Sequence, residues 1–490
     1  MRSLIQLMLP IMTLLCSTTL MGQTWTITDQ NLIPAQGKRD IIPQRFVVYH
    51  TDFNSTRDKL WAAPKESDQS LSTSNALLTV GLADGSADIF RMIQYDMMEP
   101  GLSSRYPEIR TFRGESISDP DRTIRADWTE NGFRAVIRDE NGMTYIDPYQ
   151  RNDLSDRIVY FRKDFIKNES WICSVTEKAK EIDESQAHQR QGDCLFRSYR
   201  LAQAADGEYS NYFGATSSSQ SGLVMSAVVT AINRVNQVYE ADVTVRLILV
   251  ANTDLIFYYN PSTDPYTNNN GSTMLGQNQT TCDGVIGTAN YDIGHVFSTG
   301  GGGVAYLNAV CTTSIKAGGV TGSSSPIGDA FYIDYVAHEM GHQFGGDHTF
   351  NSIASNCGGG NRTASSAYEV GSGTTVMAYA GICGVDNVQP HSDAYFHARS
   401  IQQISSHITS TSCAAFITLN NTPPVVTSVP DYSIPISTPF VLTAIVSDPN
   451  NDPLTYCWEQ YDLEGTSTEP PVSNDPDGPL FRSFLQTSSP

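Results

Sequence analysis

The sequence predicts a multidomain chain with a β-rich N-terminal region (23–193), an α/β layer domain (194–416) and a β-type C-terminal region (422–490), after a leader of 1–22. Three observations predict this order. The first region carries short alternating stretches punctuated by Asp84-Gly85, Asn131-Gly132 and Asn141-Gly142, the dipeptides that favour tight hairpins. The middle region alternates a helical apolar period (224, 228, 231/232, 235, 238/239) with a continuous β-branched run, Val243–Val250, as a buried strand requires. After Phe416 the texture changes at Asn420-Asn-Thr-Pro-Pro424, a linker followed by alternating runs at Val425–Val429, Phe440–Val446 and Leu454–Trp458.

Element by element, the chain opens with Arg2 and an apolar run, Leu4–Leu15. That run is too short to span a bilayer and reads as a signal-peptide core, with cleavage expected between Ser17 and Gln23. No later apolar run approaches 18 residues, so no transmembrane anchor is expected. Strands are expected at Arg45–His50, Ala87–Tyr95, Ile109–Arg113, Phe133–Arg138 and Met143–Tyr149. The α/β domain should open with a strand at 195–205, followed by a helix over Gly222–Tyr239 and the Val243–Val250 strand. A polar loop, Asn260–Thr281, comes next. Strands are expected at His295–Phe297 and Val304–Val310, the second after Gly300–Gly303 and suited to an exposed sheet edge on which an extended peptide could lie. A helix over Tyr332–Gly345, with Asp329 or Asp334 near its positive end, and a last helix over 396–409 complete the domain.

The Tyr332–Gly345 helix carries the chemistry. His338 and His342 lie four apart, hence on one helical face, and Glu339 stands beside that face. Gly345 can take a left-handed conformation that ends the helix and returns His348 as a third imidazole. Three imidazoles with one open position make a catalytic zinc site. The alternative, buried histidines satisfied by core hydrogen bonds, fits poorly, because three converging imidazoles would be an unusual core.

The pattern H-E-x-x-H-x-x-G-x-x-H resembles the zinc signature of the metzincin peptidases. Downstream, Gly371-Ser-Gly-Thr-Thr-Val-Met377-Ala-Tyr379 resembles the Met-turn that lies below the three imidazoles in that group. Met377-x-Tyr379 is similar to the astacin and serralysin branches. The order His348-Thr349-Phe350…Cys357…Met377-x-Tyr379 looks like pappalysin-type metzincins, and the stretch from Cys194 to Cys413 resembles bacterial reprolysin-like metallopeptidases. The resemblance implies an α/β metzincin (zincin-like) catalytic domain preceded by a pro-domain. It implies one zinc on His338, His342 and His348, Glu339 as general base, and Tyr379 as oxyanion stabiliser or further ligand. The implied activity is that of a secreted endopeptidase acting on proteins or peptides. A catalytically silent adhesin and a zinc hydrolase of non-peptide substrates are the rival readings.

Latency would require a thiolate or carboxylate at the metal, and Cys173, Asp183, Asp193 and Cys194 lie near the junction. Removing the leader leaves eight cysteines, an even number suited to disulfides in an exported chain; Cys282–Cys311 and Cys357–Cys383 are the expected pairs. Glu369, Asp386 and Asn387 are candidates for a structural calcium, although no complete calcium-loop pattern is present. His295, His391, His397 and His407 read as structural or exposed residues. A net charge of −21 argues against nucleic acid and anionic membranes as partners. The C-terminal runs look like an immunoglobulin-like or cadherin-like β-sandwich with too few strands, so further sequence is expected beyond 490.

Overall fold

The computed structural model describes residues 25–165, 173–175, 192–300, 302–463, 465–466 and 478–489. The leader, Cys16 and Asp183 lie outside these residues.

The N-terminal region forms one antiparallel sheet. Its strands are β1 (Trp25–Ile27), β2 (Val47–Thr51), β3 (Leu77–Gly81), β4 (Ala87–Tyr95), β5 (Arg110–Ser116), β6 (Thr123–Thr129), β7 (Gly132–Asp139), β8 (Gly142–Pro148) and β9 (Asp156–Phe161), in the spatial order β1-β2-β9-β8-β7-β6-β5-β4-β3. Gly85, Gly132 and Gly142 all have positive φ, so the three dipeptides seen in the sequence do turn hairpins. One face closes over α1 (Phe53–Trp61) with Trp25, Phe112, Trp128 and Phe133. The other face is also covered: β6, β7 and β8 are buried along almost their whole length. A short helix, α2 (Pro100–Ser103), interrupts the hairpin series.

A second sheet holds β10 (Cys173–Val175), β11 (Leu195–Ala205), β12 (Val245–Leu249), β13 (Ile293–Ser298), β14 (Gly302–Ala305) and β15 (Gly319–Gly322), ordered β10-β14-β15-β13-β11-β12. β11, β12, β13 and β15 run parallel, and β14 is antiparallel to β15. β16 (Ala415–Thr418) pairs with the start of β11. Between β11 and β12 run α3 (Gly207–Tyr212) and α4 (Ser221–Val243). From Val224 to Tyr239 every residue of α4 is buried, because it lies between the two sheets and has no solvent face.

Several expectations need correction. The polar stretch over Asn260–Thr281 contains a helix, α5 (Gly271–Thr281), capped by the Asn270 side chain and held by buried Met274 and Leu275. Two apolar anchors among polar residues are too weak a periodic signal to announce a helix. The strand expected at Val304–Val310 ends at Ala305. Asn308 turns with positive φ, and the Asn308 and Val310 amides donate to the His342 and Gln343 carbonyls at the metal helix's end (3.1 Å each). Cys311 pairs with Cys413, not with Cys282, which is buried as a free thiol; Cys357–Cys383 forms as expected.

Among the described residues after Leu419, strands are confined to one ribbon, β17 (Val425–Thr427) with β18 (Ile445–Ser447). Ile436 and Val441 there are each 89% exposed, so these residues do not close a sandwich core.

Candidate metal centre

The metal helix is continuous from Ala330 to Gln343, with its first two turns widened and its last forming α6 (His338–Gln343). Gly345 adopts φ +100°, and the chain doubles back there. Gly341 lies against Met377, whose sulfur would overlap any Cβ at that position.

The three imidazoles converge on one point. Their Nε2 atoms are 3.1 Å (His338–His342), 3.1 Å (His342–His348) and 3.3 Å (His338–His348) apart. Each Nδ1 lies 2.7 Å from a backbone carbonyl: Val376 for His338, Gly346 for His342 and Asn361 for His348. A carbonyl only accepts, so each Nδ1 carries the proton and each Nε2 presents a lone pair. Burial lowers the pKa of His342 and His348, and for His342 the neighbouring imidazoles push it further down. Three lone pairs facing one another call for a cation. Zinc–nitrogen bonds of about 2.0 Å in a tetrahedron put nitrogens about 3.3 Å apart, which these separations fit.

A fourth donor lies beside the three imidazoles. Cys173 Sγ lies 3.5 Å from His342 Nε2, and the four ligand atoms all fall within 4.8 Å of one another. Bond lengths of about 2.3 Å for sulfur and 2.0 Å for nitrogen place such a pair about 3.5 Å apart. Of the junction residues considered for latency, Cys173 reaches the site. Asp193 is paired with Arg197 instead, and Cys194 is a free, half-buried thiol. Nothing in the local sequence distinguishes Cys173 from Cys194; the strand pairing of β10 with β14, residue 173 opposite Gly303, delivers it.

Glu339 is fully buried beside this cluster, and the Cys173 thiol is the polar group that meets its carboxyl. Burial pushes its pKa well above the carboxylate range, and the Cys173 thiol offsets this slightly. The Cys173 thiol is itself driven up by burial and by Glu339. A Cβ at Gly303 would overlap the Glu339 carboxylate, so the edge strand approaches this acid through a residue without a side chain. Tyr379 donates its hydroxyl to the Cys173 carbonyl (3.0 Å), and its ring meets His348 edge-on and lies tilted against Phe350.

Met377 is buried below the imidazoles, and its carbonyl accepts from the Thr349 amide (3.2 Å). Glu369 holds this turn in place. It accepts from Thr349 Oγ1 (2.6 Å), the Thr374 amide (2.7 Å), the Thr375 amide (3.1 Å) and both threonine hydroxyls. Those donors account for the buried Glu369 carboxylate, and the calcium reading finds no support here. Asp386 likewise accepts from Ser352, and Asn387 from the Cys383 amide. Glu369 thus ties the residue after the third histidine to the Met377 turn, a role that an isolated acid in the sequence does not announce.

His295, His391, His397 and His407 are structural. His295 bridges Gln343 and Thr321, and burial lowers its pKa to about 4. His391 contacts the Phe165 carbonyl, His397 caps α7 (Ala398–Ser410), and His407 reaches the Val310 carbonyl. Asp329 sits at the start of the metal helix and pairs with Arg234; Asp334 pairs with Arg162.

Residues 196–407 match the metallo-peptidase family M12B, reprolysin-like. The matched span covers β11 to β15 of the second sheet, α4, the metal helix and most of α7. No curated relative matches the chain. No helix among the described residues is long and apolar enough to cross a membrane.

Proposed function

We propose that this chain is the latent form of a secreted zinc-dependent endopeptidase, with His338, His342 and His348 as zinc ligands and Cys173 as the fourth. The single observation that carries the reading is the convergence of three Nε2 lone pairs whose partner nitrogens are all committed to carbonyls. The M12B likeness over 196–407 supports a peptidase chemistry for that cluster. The Cys311–Cys413 and Cys357–Cys383 disulfides support export.

Zinc bound there would supply the Lewis acid that polarises a scissile carbonyl and acidifies a water. Glu339 takes the proton of the attacking water and passes it to the leaving amine; burial of its carboxyl favours holding that proton. Tyr379, once the Cys173 carbonyl leaves its hydroxyl, donates to the developing oxyanion. The substrate lies extended along β14, the position that β10 now takes. Latency would then be one contact: β10 holds the substrate's place beside β14, and with zinc bound the Cys173 sulfur would hold the position that a water otherwise takes.

The test is hydrolysis of casein by the protein from residue 24 onward, before and after limited trypsin treatment, with a chelator control. Activity that appears only after trypsin and disappears with chelator is expected. Silence in every condition, with one zinc retained per chain, would replace the peptidase with a binding scaffold.

A further inference from the structure

The face of the N-terminal sheet that meets α4 is not built like a surface that detaches. Tyr95, Met97, Met98, Val136, Tyr145 and Tyr160 share one apolar core with α4 and the metal helix. The backbone is continuous across the boundary as well: the Leu249 amide donates to the Met97 carbonyl (2.8 Å), and the Glu99 amide to the Leu249 carbonyl (2.9 Å). The charges interlock. Asp147 of β8, fully buried, faces Arg134 of β7 (3.7 Å) and Arg234 of α4 (3.4 Å), and Arg234 continues to Asp329 (3.1 Å). Asp127 of β6 accepts from Thr230 (2.8 Å) and Asn233 of α4. Arg125 pairs with Glu240, and Arg246 with Glu66.

The metal helix itself depends on these partners. Arg162, just after β9, neutralises Asp334, one turn before His338 on the same face. Phe165 then contacts His391, in the loop that follows the Met377 turn. Among the described residues, β10 meets the second sheet through three residues of pairing and the Cys173 contacts.

We propose that the N-terminal sheet is a permanent, non-covalent subunit of the mature enzyme, and that activation displaces only the strand carrying Cys173. This rests on the latent-peptidase reading for the word "activation", but retention of the sheet does not. The interface partner is the α4 and metal-helix face of the same chain. The apolar core, the shared backbone bonds and the paired buried charges would all have to be exposed to water for the sheet to leave.

The experiment uses the full chain with the recognition sequence of an exogenous protease placed within 176–191, and in a second variant within both 166–172 and 176–191. Digested protein is run on size exclusion in high salt, each peak is resolved on a denaturing gel, and casein hydrolysis is assayed. In both variants the N-terminal fragment is expected to co-elute with the 192–490 fragment. A single cut leaves the thiol tethered to the retained sheet, at high effective concentration, and the protein stays latent. The double cut frees the strand and raises activity by about 10²-fold or more. Elution of the N-terminal fragment by itself, with the larger fragment still folded, overturns the proposal, as does full activity after the single cut. Co-elution without activity in either variant upholds retention and overturns the peptidase reading instead.

Discussion

The histidine cluster and the ion cluster between the two sheets are both buried and polar, yet they are opposite in construction. Between the sheets acids are set against arginines: Asp147 and Asp329 share Arg234, Asp334 has Arg162 and Glu240 has Arg125, while Asp127 is met by the neutral Thr230 and Asn233 side chains. At the histidines, three acceptors face one another and the adjacent Glu339 carboxyl is buried beside the Cys173 thiol. Paired charges hold two surfaces together, whereas acceptors turned toward one another call for a ligand. The comparison therefore separates residues that assemble the molecule from residues that act.

The largest effect expected is from metal removal. Binding that exists only in the folded state stabilises by mass action, so chelation should lower unfolding free energy by about 4 kcal/mol or more, read as a fall in thermal midpoint. His348→Ala should abolish stoichiometric zinc and make the midpoint indifferent to chelator. If chelator leaves the wild-type midpoint unchanged, the acceptor cluster is not a metal site.

Glu339→Gln should keep one zinc per chain and lower kcat/KM of the activated protein by about 10²–10⁴-fold, as loss of a general base does. Near-wild-type turnover would remove Glu339 from the mechanism. On the other side of the comparison, Arg234→Met should destabilise the fold by about 3–5 kcal/mol in denaturant melts, because Asp147 and Asp329 stay buried without their shared cation. Removing an exposed pair such as Lys65–Asp96 (side chains 50% and 55% exposed) should change stability by less than about 1 kcal/mol.

A pH signature is expected inside the ion cluster. Burial raises the Asp127 carboxyl to about 6, against its ordinary 3.8. The folded state therefore binds this proton more tightly than the unfolded chain, and the Asp127 contribution weakens as pH rises from about 4 to about 6. Asp127→Asn should leave stability unchanged near pH 4 and raise it by at most about 3 kcal/mol above pH 6, in parallel urea melts. Glu240, held at about 2 by Arg125 and Arg246 against the effect of burial, contributes in the opposite sense. Its stabilisation is present above about 4.5 and is lost as pH falls toward 2. An identical pH slope for Asp127→Asn and wild type would mean that Asp127 is not a raised carboxyl.

By itself the sequence determined the local features. Spacing put His338 and His342 on one face, Gly345 turned the chain to His348, and the Gly85, Gly132 and Gly142 turns produced hairpins, because each depends on residues a few positions apart. Wherever a partner is distant in sequence, the tertiary structure decided. Cys173 reaches the histidines through a strand paired with Gly302–Ala305, and Cys311 meets Cys413 across 102 residues. Glu369 turns out to be a clasp for the Met377 turn because three threonines gather around it. The buried charges of α4 find their complements on a sheet formed more than 70 residues earlier in the chain. A periodic pattern records which face of an element is buried but not what that face meets, and pairing across such distances is set by packing and charge complementarity in three dimensions.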